Sequence, residues 1–350
     1  MNENAEKQIS TFEKYLALWV ALCMAAGILL SVLLPGIGEA IDSWQIRGVS
    51  IPIGICLFLM MYPAMLNIQF SEIKKLGKNP LPILLTMVSN WLVAPLITAL
   101  LANLFLKNNP QLLVAVILLG SSPCTAMVLV WGKLAKGNQE QNVVNTSINT
   151  ISIMFLYVPV VSLLTGLQGI PLDRGLLLIS ALVFIGLPLI LGILSKKLLI
   201  QWKGEEWFNH KYRHVVGKIS TVALLTTLVI RFSLNGQVLL QNFDKLILVS
   251  IPLLVGFVIV VGYNILITKA FKLNYREAII TVLIGSSSHF EIAIASAVAL
   301  YGVGSQAALG TTMGLFWEVP IMLSLVAFGK WLNKRGFWSP SIAAEPEREI

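Results

Sequence analysis

Cys124 follows Pro123 inside one apolar run. Glu291 stands two residues after His289 inside another, in the stretch Gly285-Ser286-Ser287-Ser288-His289-Phe290-Glu291. A thiol is a soft ligand for thiophilic ions, and a carboxyl group in an apolar setting is placed to load and release a proton. An acidic side chain at the centre of a membrane helix costs about 2.5–3.5 kcal/mol on insertion scales, so one kept there is read as functional. Its bland alternative is a structural hydrogen bond to a neighbouring helix. Proline cannot donate the backbone bond of a regular helix, so an interruption is expected at Pro123, with the thiol of Cys124 turned to a cavity. Cys23 and Cys56 lie in unbroken apolar sequence and read as small hydrophobes.

Other polar residues share these runs. On a regular helix His289 would face away from Glu291, whereas an unwound segment brings both to one cavity, so His289 either supports the carboxyl or packs. Glu318, in Trp317-Glu318-Val319-Pro320, is again mid-run, next to a proline that frees the carbonyl of Phe316. Asn90, Asn145, Ser147, Asn149 and Thr150 can line the same cavity, the alternative for each being a bond between helices. Ser121, Ser122 and Ser287 flank the two interruptions. Gly120-Ser121-Ser122 and Gly285-Ser286-Ser287 each fall about ten residues into their run, and matched polar interruptions point to broken helices meeting at a midplane substrate site.

The elements that position these residues follow from composition. Of 350 residues 56% are hydrophobic and 12% charged, with mean hydropathy +0.81, which excludes a soluble globular chain. Apolar blocks of about 20 residues fit helices crossing a hydrocarbon core of about 30 Å, not the alternating strands of a barrel. The fold class expected is an all-α integral membrane bundle in a lipid bilayer. Ten spans are read at 15–34, 46–68, 80–105, 111–135, 141–165, 174–199, 215–235, 245–268, 276–300 and 304–332. The first run is long enough to stay as a helix, and no cleavable leader is expected.

Every Lys and Arg except Arg47, Lys107, Arg174, Arg231 and Lys245 falls on one side of this arrangement, so the positive-inside rule places both termini in the cytoplasm of a cell-membrane protein. Arg231 reads as an interfacial anchor. The longest inner connection, Lys196 to Lys218, is read as a loop. The net charge of +8 arises from these short clusters, which excludes a nucleic-acid stripe. The cysteine spacing supports neither a disulfide framework nor a zinc site, and no cofactor is expected.

Ten spans divide into two five-helix units, and because five is odd the units are inverted. The expected divisions are a cytoplasmic segment 1–14, a first repeat 15–165, a second repeat 166–332 and a cytoplasmic tail 333–350. At 1.5 Å per residue, Cys124 lies about 20 Å below the outer face and Glu291 about 22 Å from the inner face, both near mid-membrane.

Pro123-Cys124-Thr125-Ala126-Met127-Val128-Leu129-Val130-Trp131 with Leu134-Ala135-Lys136-Gly137, and Phe290-Glu291-Ile292-Ala293 with Glu318-Val319-Pro320, resemble the signatures of arsenite efflux permeases of the arsenical-resistance-3 type, within the bile acid:sodium symporter superfamily. Leu59-Met60-Met61-Tyr62-Pro63, Asn90-Trp91 and Tyr15-Leu16-Ala17-Leu18-Trp19 are similar to it too. The resemblance implies ten helices in two inverted repeats, a panel and a core domain, and discontinuous helices 4 and 9 that cross. It also implies export of arsenite, in some members antimonite, by exchange with protons, with Cys124 the thiol that takes As(III) and Glu291 the essential carboxyl. Asn149-Thr150 stands where the family usually has Asn-Asp, and His289 where an apolar or amide residue often stands.

Two other readings compete. One is a sodium-coupled symporter of an organic anion, with Glu291, Ser147, Asn149 and Thr150 as oxygen ligands. The other is an intramembrane enzyme or receptor using Cys124 and His289 as nucleophile and base. The inverted arrangement and short loops favour transport, so no enzymatic activity is expected.

Overall fold

The computed structural model describes residues 16–34, 36, 43–46, 49–66, 80–125, 127–241, 243–302 and 304–339. The segment 1–14, Tyr15, Arg47, residues 67–68 of the second span, Lys74, Lys75, Lys78, Ala126 and most of the tail 333–350 lie outside them.

Helices account for nearly everything described. They are α1 (Leu16–Leu33), α2 (Ile51–Leu66), α3 (Leu81–Leu106), α4 (Pro110–Gly120), α5 (Val128–Leu134), α6 (Gln139–Leu167), α7 (Arg174–Lys203), α8 (Arg213–Gln241), α9 (Phe243–Ala270), α10 (Tyr275–Gly285), α11 (Phe290–Tyr301) and α12 (Gln306–Lys334). Among the described residues, six helical stretches are long and apolar enough to cross a membrane: α3, α6, α7, Glu205–Ile230 leading into and including most of α8, Asp244–Ala270 of α9, and α12. Their outward residues include Leu84, Leu100, Leu104, Phe155 and Val258, all exposed and apolar, as a hydrocarbon solvent requires. The chain is a multi-pass membrane protein.

Start signals are local. Asn138, Asp173, Asn274 and Ser305 cap α6, α7, α10 and α12, each side chain accepting a first-turn amide that the helix leaves unpaired. Two wide turns lie inside long helices, Ser89–Val93 in α3 and Leu182–Gly186 in α7, where the ladder takes an extra residue.

Burial separates the inner helices from the outer ones. Leu112 to Leu119 of α4 and Phe290 to Val298 of α11 are buried at every position, as are all of α10 but Arg276 and Glu277. Helices apolar all round can be covered all round only at the centre. Around them α1 packs along α8, α8 along α2 and α2 along α7, while α3, α4, α9, α10, α11 and α12 contact one another; α7 with α11 and α1 with α12 join the two sets.

Three sequence expectations are corrected. The second span was expected to be helical from residue 46, but Gln45–Ile46 pairs antiparallel with Val49–Ser50 and the helix starts at Ile51. The seventh span is longer than 215–235, running over Arg213–Gln241. The connection Lys196 to Lys218 is helical on both sides of Gly204, whose φ of 86° ends α7; a short helix at Glu205–Trp207 and a wide turn at Phe208–Tyr212 lead into α8. Charge density made this segment look like a loop, although Lys, Glu and Arg are good helix formers.

Candidate functional site

The chain leaves helical geometry after Gly120 and again after Gly285, and the two breaks bond to each other. The amide of Cys124 donates to the carbonyl of Ser287 at 3.1 Å, and that of His289 to the carbonyl of Ser122 at 2.6 Å, so Pro123 and Ser288 face each other as one antiparallel bridge. Backbone groups released by the breaks would be costly unpaired in an apolar interior, and here each break satisfies the other. Pro123 fits because the position facing Ser288 needs no donor.

Small residues permit the approach. A Cβ on Gly120 would overlap the Thr98 side chain of α3, and one on Gly285 would lie 2.8 Å from Asn264 Oδ1 of α9. The loops are tied the same way. The Asn138 amide donates to the Arg276 carbonyl (2.9 Å) and the Tyr275 hydroxyl to the Ala135 carbonyl (2.7 Å), while the Gln306 amide donates to Gln111 Oε1 (3.0 Å).

Side chains then fix the breaks. Asn149 of α6, fully buried, donates through Nδ2 to the Cys124 carbonyl (3.2 Å) and accepts through Oδ1 from Asn90 Nδ2 (3.1 Å). Ser89, on the wide turn of α3, donates to the Gly285 carbonyl (2.8 Å), and Ser122 Oγ to the Leu119 carbonyl (2.9 Å). Asn264 Nδ2 donates to Ser286 Oγ (3.0 Å).

Three ionisable groups meet at the second break. His289 is the residue just before α11 and Glu291 lies in its first turn. Nδ1 of His289 is 2.8 Å from Oε2 of Glu291, a close imidazole–carboxyl contact that does not form a hydrogen bond. Ser287 Oγ donates to Glu318 Oε1, the Ser288 amide donates to the same carboxyl, and Glu318 is within electrostatic reach of Glu291. Cys124, Glu291 and Glu318 are 3%, 7% and 6% exposed, so none of the three faces bulk solvent.

A cavity of about 70 Å³ borders the breaks, lined among others by Asn90, Ser122, Pro123, Ser287, Trp317 and Glu318; Cys124 and Glu291 are not among its lining residues. Ser121 Oγ and Thr125 Oγ1, on either side of Cys124, are buried without a hydrogen-bond partner. Buried hydroxyls are nearly always bonded, which sets these two apart; both are fully buried and neither lines the cavity.

The predicted residues thus fall into connected sets. Asn90, Asn149 and the Cys124 backbone form one chain of bonds; His289 and Glu291 form a pair; Ser287 joins Glu318 to the second break. Asn145 takes the inter-helix alternative, donating to Thr86 Oγ1 of α3 (3.0 Å), whereas Thr150 bonds within its own helix, to the Thr146 carbonyl (2.9 Å). Sequence reasoning did not single out Thr125, Ser89 or Asn264. Asn264 was signalled by an amide inside Val260-Val261-Gly262-Tyr263-Asn264-Ile265-Leu266, an otherwise apolar run.

The sequence pattern of the Sodium Bile acid symporter family matches residues 54–242. The Arsenical-resistance protein Acr3 of Alkaliphilus metalliredigens is 37% identical, covering 98% of this chain and 99% of its own. The Uncharacterized transporter slr0944 of Synechocystis sp. is 39% identical, covering 97% and 92%, and the Arsenical-resistance protein Acr3 of Corynebacterium glutamicum 29% identical, covering 94% and 92%. The chain therefore belongs to the sodium bile acid symporter family, as a relative of its arsenical-resistance proteins.

Proposed function

We propose that this protein exports arsenite across the cell membrane by exchange with protons, with antimonite a further candidate substrate. The observation that carries the reading is the antiparallel bond between the breaks bearing Cys124 and Glu291. The names of the relatives support the substrate. The size of the cavity beside the breaks supports it too: about 70 Å³ is half the roughly 150 Å³ that holds a benzene-sized ligand, room for a small inorganic acid rather than a large organic anion.

The architecture behind this reading is ten spans in two inverted repeats, 15–165 and 166–332, with both termini cytoplasmic. Its support is internal correspondence. Gly120 meets α3 and Gly285 meets α9, the third and eighth spans, and each broken helix has its starting turn tied to the other repeat. The helix set α1, α2, α7 and α8 is the panel, and the other set is the core that rocks against it.

Arsenous acid is uncharged at neutral pH and As(III) is thiophilic. A single thiol binds it by exchanging for one hydroxyl, with the thiol proton and that hydroxyl leaving as water. One sulfur holds it reversibly where three would not release it. The reading assigns the remaining As–OH groups to the hydroxyls of Ser121 and Thr125, which are buried without a partner and would have to be reached by movement of the breaks. Glu291 takes a proton from the outside and gives it up inside, with substrate bound in the opposite phase; His289 and Glu318 shape the field around it.

The test is arsenite and antimonite tolerance in a sensitive bacterial host. Intact protein restores growth, and Cys124→Ser and Glu291→Gln each lose it at unchanged expression. Tolerance unaffected by Cys124→Ser would overturn the reading, and sodium-dependent uptake of a carboxylate would replace it with the symporter alternative.

A further inference from the structure

A second cavity, of about 430 Å³, lies where α1 and α8 meet α9 and α12. Met24, Ile28, Phe232, Met313, Phe316 and Trp317 form most of its inner wall. Its volume falls in the range of roughly 300–1,000 Å³ usual for ligand pockets, and is nearly three times the roughly 150 Å³ that admits benzene.

Its chemistry excludes a polar occupant. Ser250 is the one polar side chain in the lining apart from the Trp317 ring nitrogen, and these two bond to each other: Trp317 Nε1 donates to Ser250 Oγ at 2.8 Å, and Ser250 Oγ donates to the Leu246 carbonyl at 2.7 Å. A water molecule needs two to four polar partners, and a cavity without them stays dry.

Its mouth lies on hydrocarbon-facing surface. Ile247 and Ile251 line it and are exposed, and the same face of α9 continues through exposed Val255 and Val258. The cavity is thus continuous with the side of a membrane-spanning helix. Its back wall is closely packed: Gly27, between Met24 and Ile28, sits so close to α8 that a Cβ there would lie 2.6 Å from Phe232 Cβ.

We propose that this cavity is a binding site for one acyl chain of a bilayer lipid. A chain of methylenes fits a dry, apolar space of this volume open to the bilayer, and gains dispersion contacts with its walls. The site sits at the seam between the α1–α8 pair and the α9–α12 pair. Trp317 lines both this cavity and the polar one beside Glu318, so the chain rests against a wall of the candidate site. The inference depends on membrane insertion and not on the transported solute.

The test uses full-length protein in phosphatidylcholine vesicles, with acyl chains carrying bromine at mid-chain or none. Trp317 fluorescence is taken as the difference between the intact protein and Trp317→Phe. Brominated lipid is expected to quench the larger part of that signal. Ile28→Phe and Met24→Phe, each placing a ring in the cavity from a different position on α1, are expected to restore it. Absence of quenching in the intact protein overturns the proposal. So does equal quenching in the intact protein and both filled variants, because bromine would then be reaching Trp317 from outside the cavity.

Discussion

The amide of Asn149 does two things at once. Its Nδ2 holds the Cys124 carbonyl and its Oδ1 holds Asn90, so the position of the thiol depends on a helix remote from it in sequence. Asn149→Asp keeps the acceptor for Asn90 but loses the donor to Cys124, leaving a buried carbonyl and a new buried charge. Asn149→Ala loses both bonds. An unsatisfied buried group costs about 1–3 kcal/mol and more when charged, so Asp is expected to destabilise at least as much as Ala despite its closer shape. Thermal unfolding of the two variants in detergent checks the order. If Asp were the milder change, Asn149 would be holding Asn90 and not the cysteine break. Ser287 works on a smaller scale: Ser287→Ala removes one of the two donors to Glu318 found among the described residues, leaving the Ser288 amide, and is expected to cost about 1 kcal/mol.

At the scale of elements, the broken helices pack closely against their neighbours because glycine stands at the last turn of each, where a Cβ would overlap Thr98 or Asn264. Gly285 faces Asn264, whose side chain is held by bonds to the Val260 carbonyl and Ser286 Oγ and so has little freedom to recede. Gly285→Ala is expected to destabilise by about 1–3 kcal/mol through overpacking, and Asn264→Ala to recover part of that loss in the double variant. Gly120→Ala has no equivalent rescue at Thr98, because the Thr98 Cβ itself stands in the way. Unfolding of the single and double variants measures the coupling; strictly additive costs would mean that the two residues do not compete for space. The breaks were legible from sequence because glycine, serine and Pro123 weaken a helix at matched depths. The wide turns at Ser89–Val93 and Leu182–Gly186 were not, because each segment lies inside a longer run that reads as continuous helix and the extra residue is imposed by packing. The His289–Glu291 contact was legible only as an alternative, since residues two apart meet only if the chain between them is not helical. The roles of Ser89, Asn264 and Thr125 depend on which helix lies alongside, and no local pattern states that.

For the whole molecule, the proposed exchange makes a quantitative claim about charge. Arsenous acid leaves uncharged and a proton enters, so each cycle carries one positive charge inward. A neutral solute feels no membrane potential of its own, yet coupling to one proton gives it about 2.3 kcal/mol of driving force per 100 mV. At about 1.4 kcal/mol per tenfold ratio, 100 mV supports a roughly fortyfold gradient of arsenite. In everted vesicles energised with a lumen-positive potential at fixed pH difference, arsenite is expected to accumulate in the lumen. Collapsing the potential with valinomycin and potassium lowers the steady-state ratio by about that factor per 100 mV removed. Collapsing the pH difference lowers it again, because the proton is the coupled ion. Two results count against the scheme at this scale: a ratio indifferent to potential, which would require a second charge moving with the first, and a ratio that follows the sodium gradient instead. Glu291→Gln removes the group assigned to the proton, so under the same scheme it abolishes both dependences together rather than either alone.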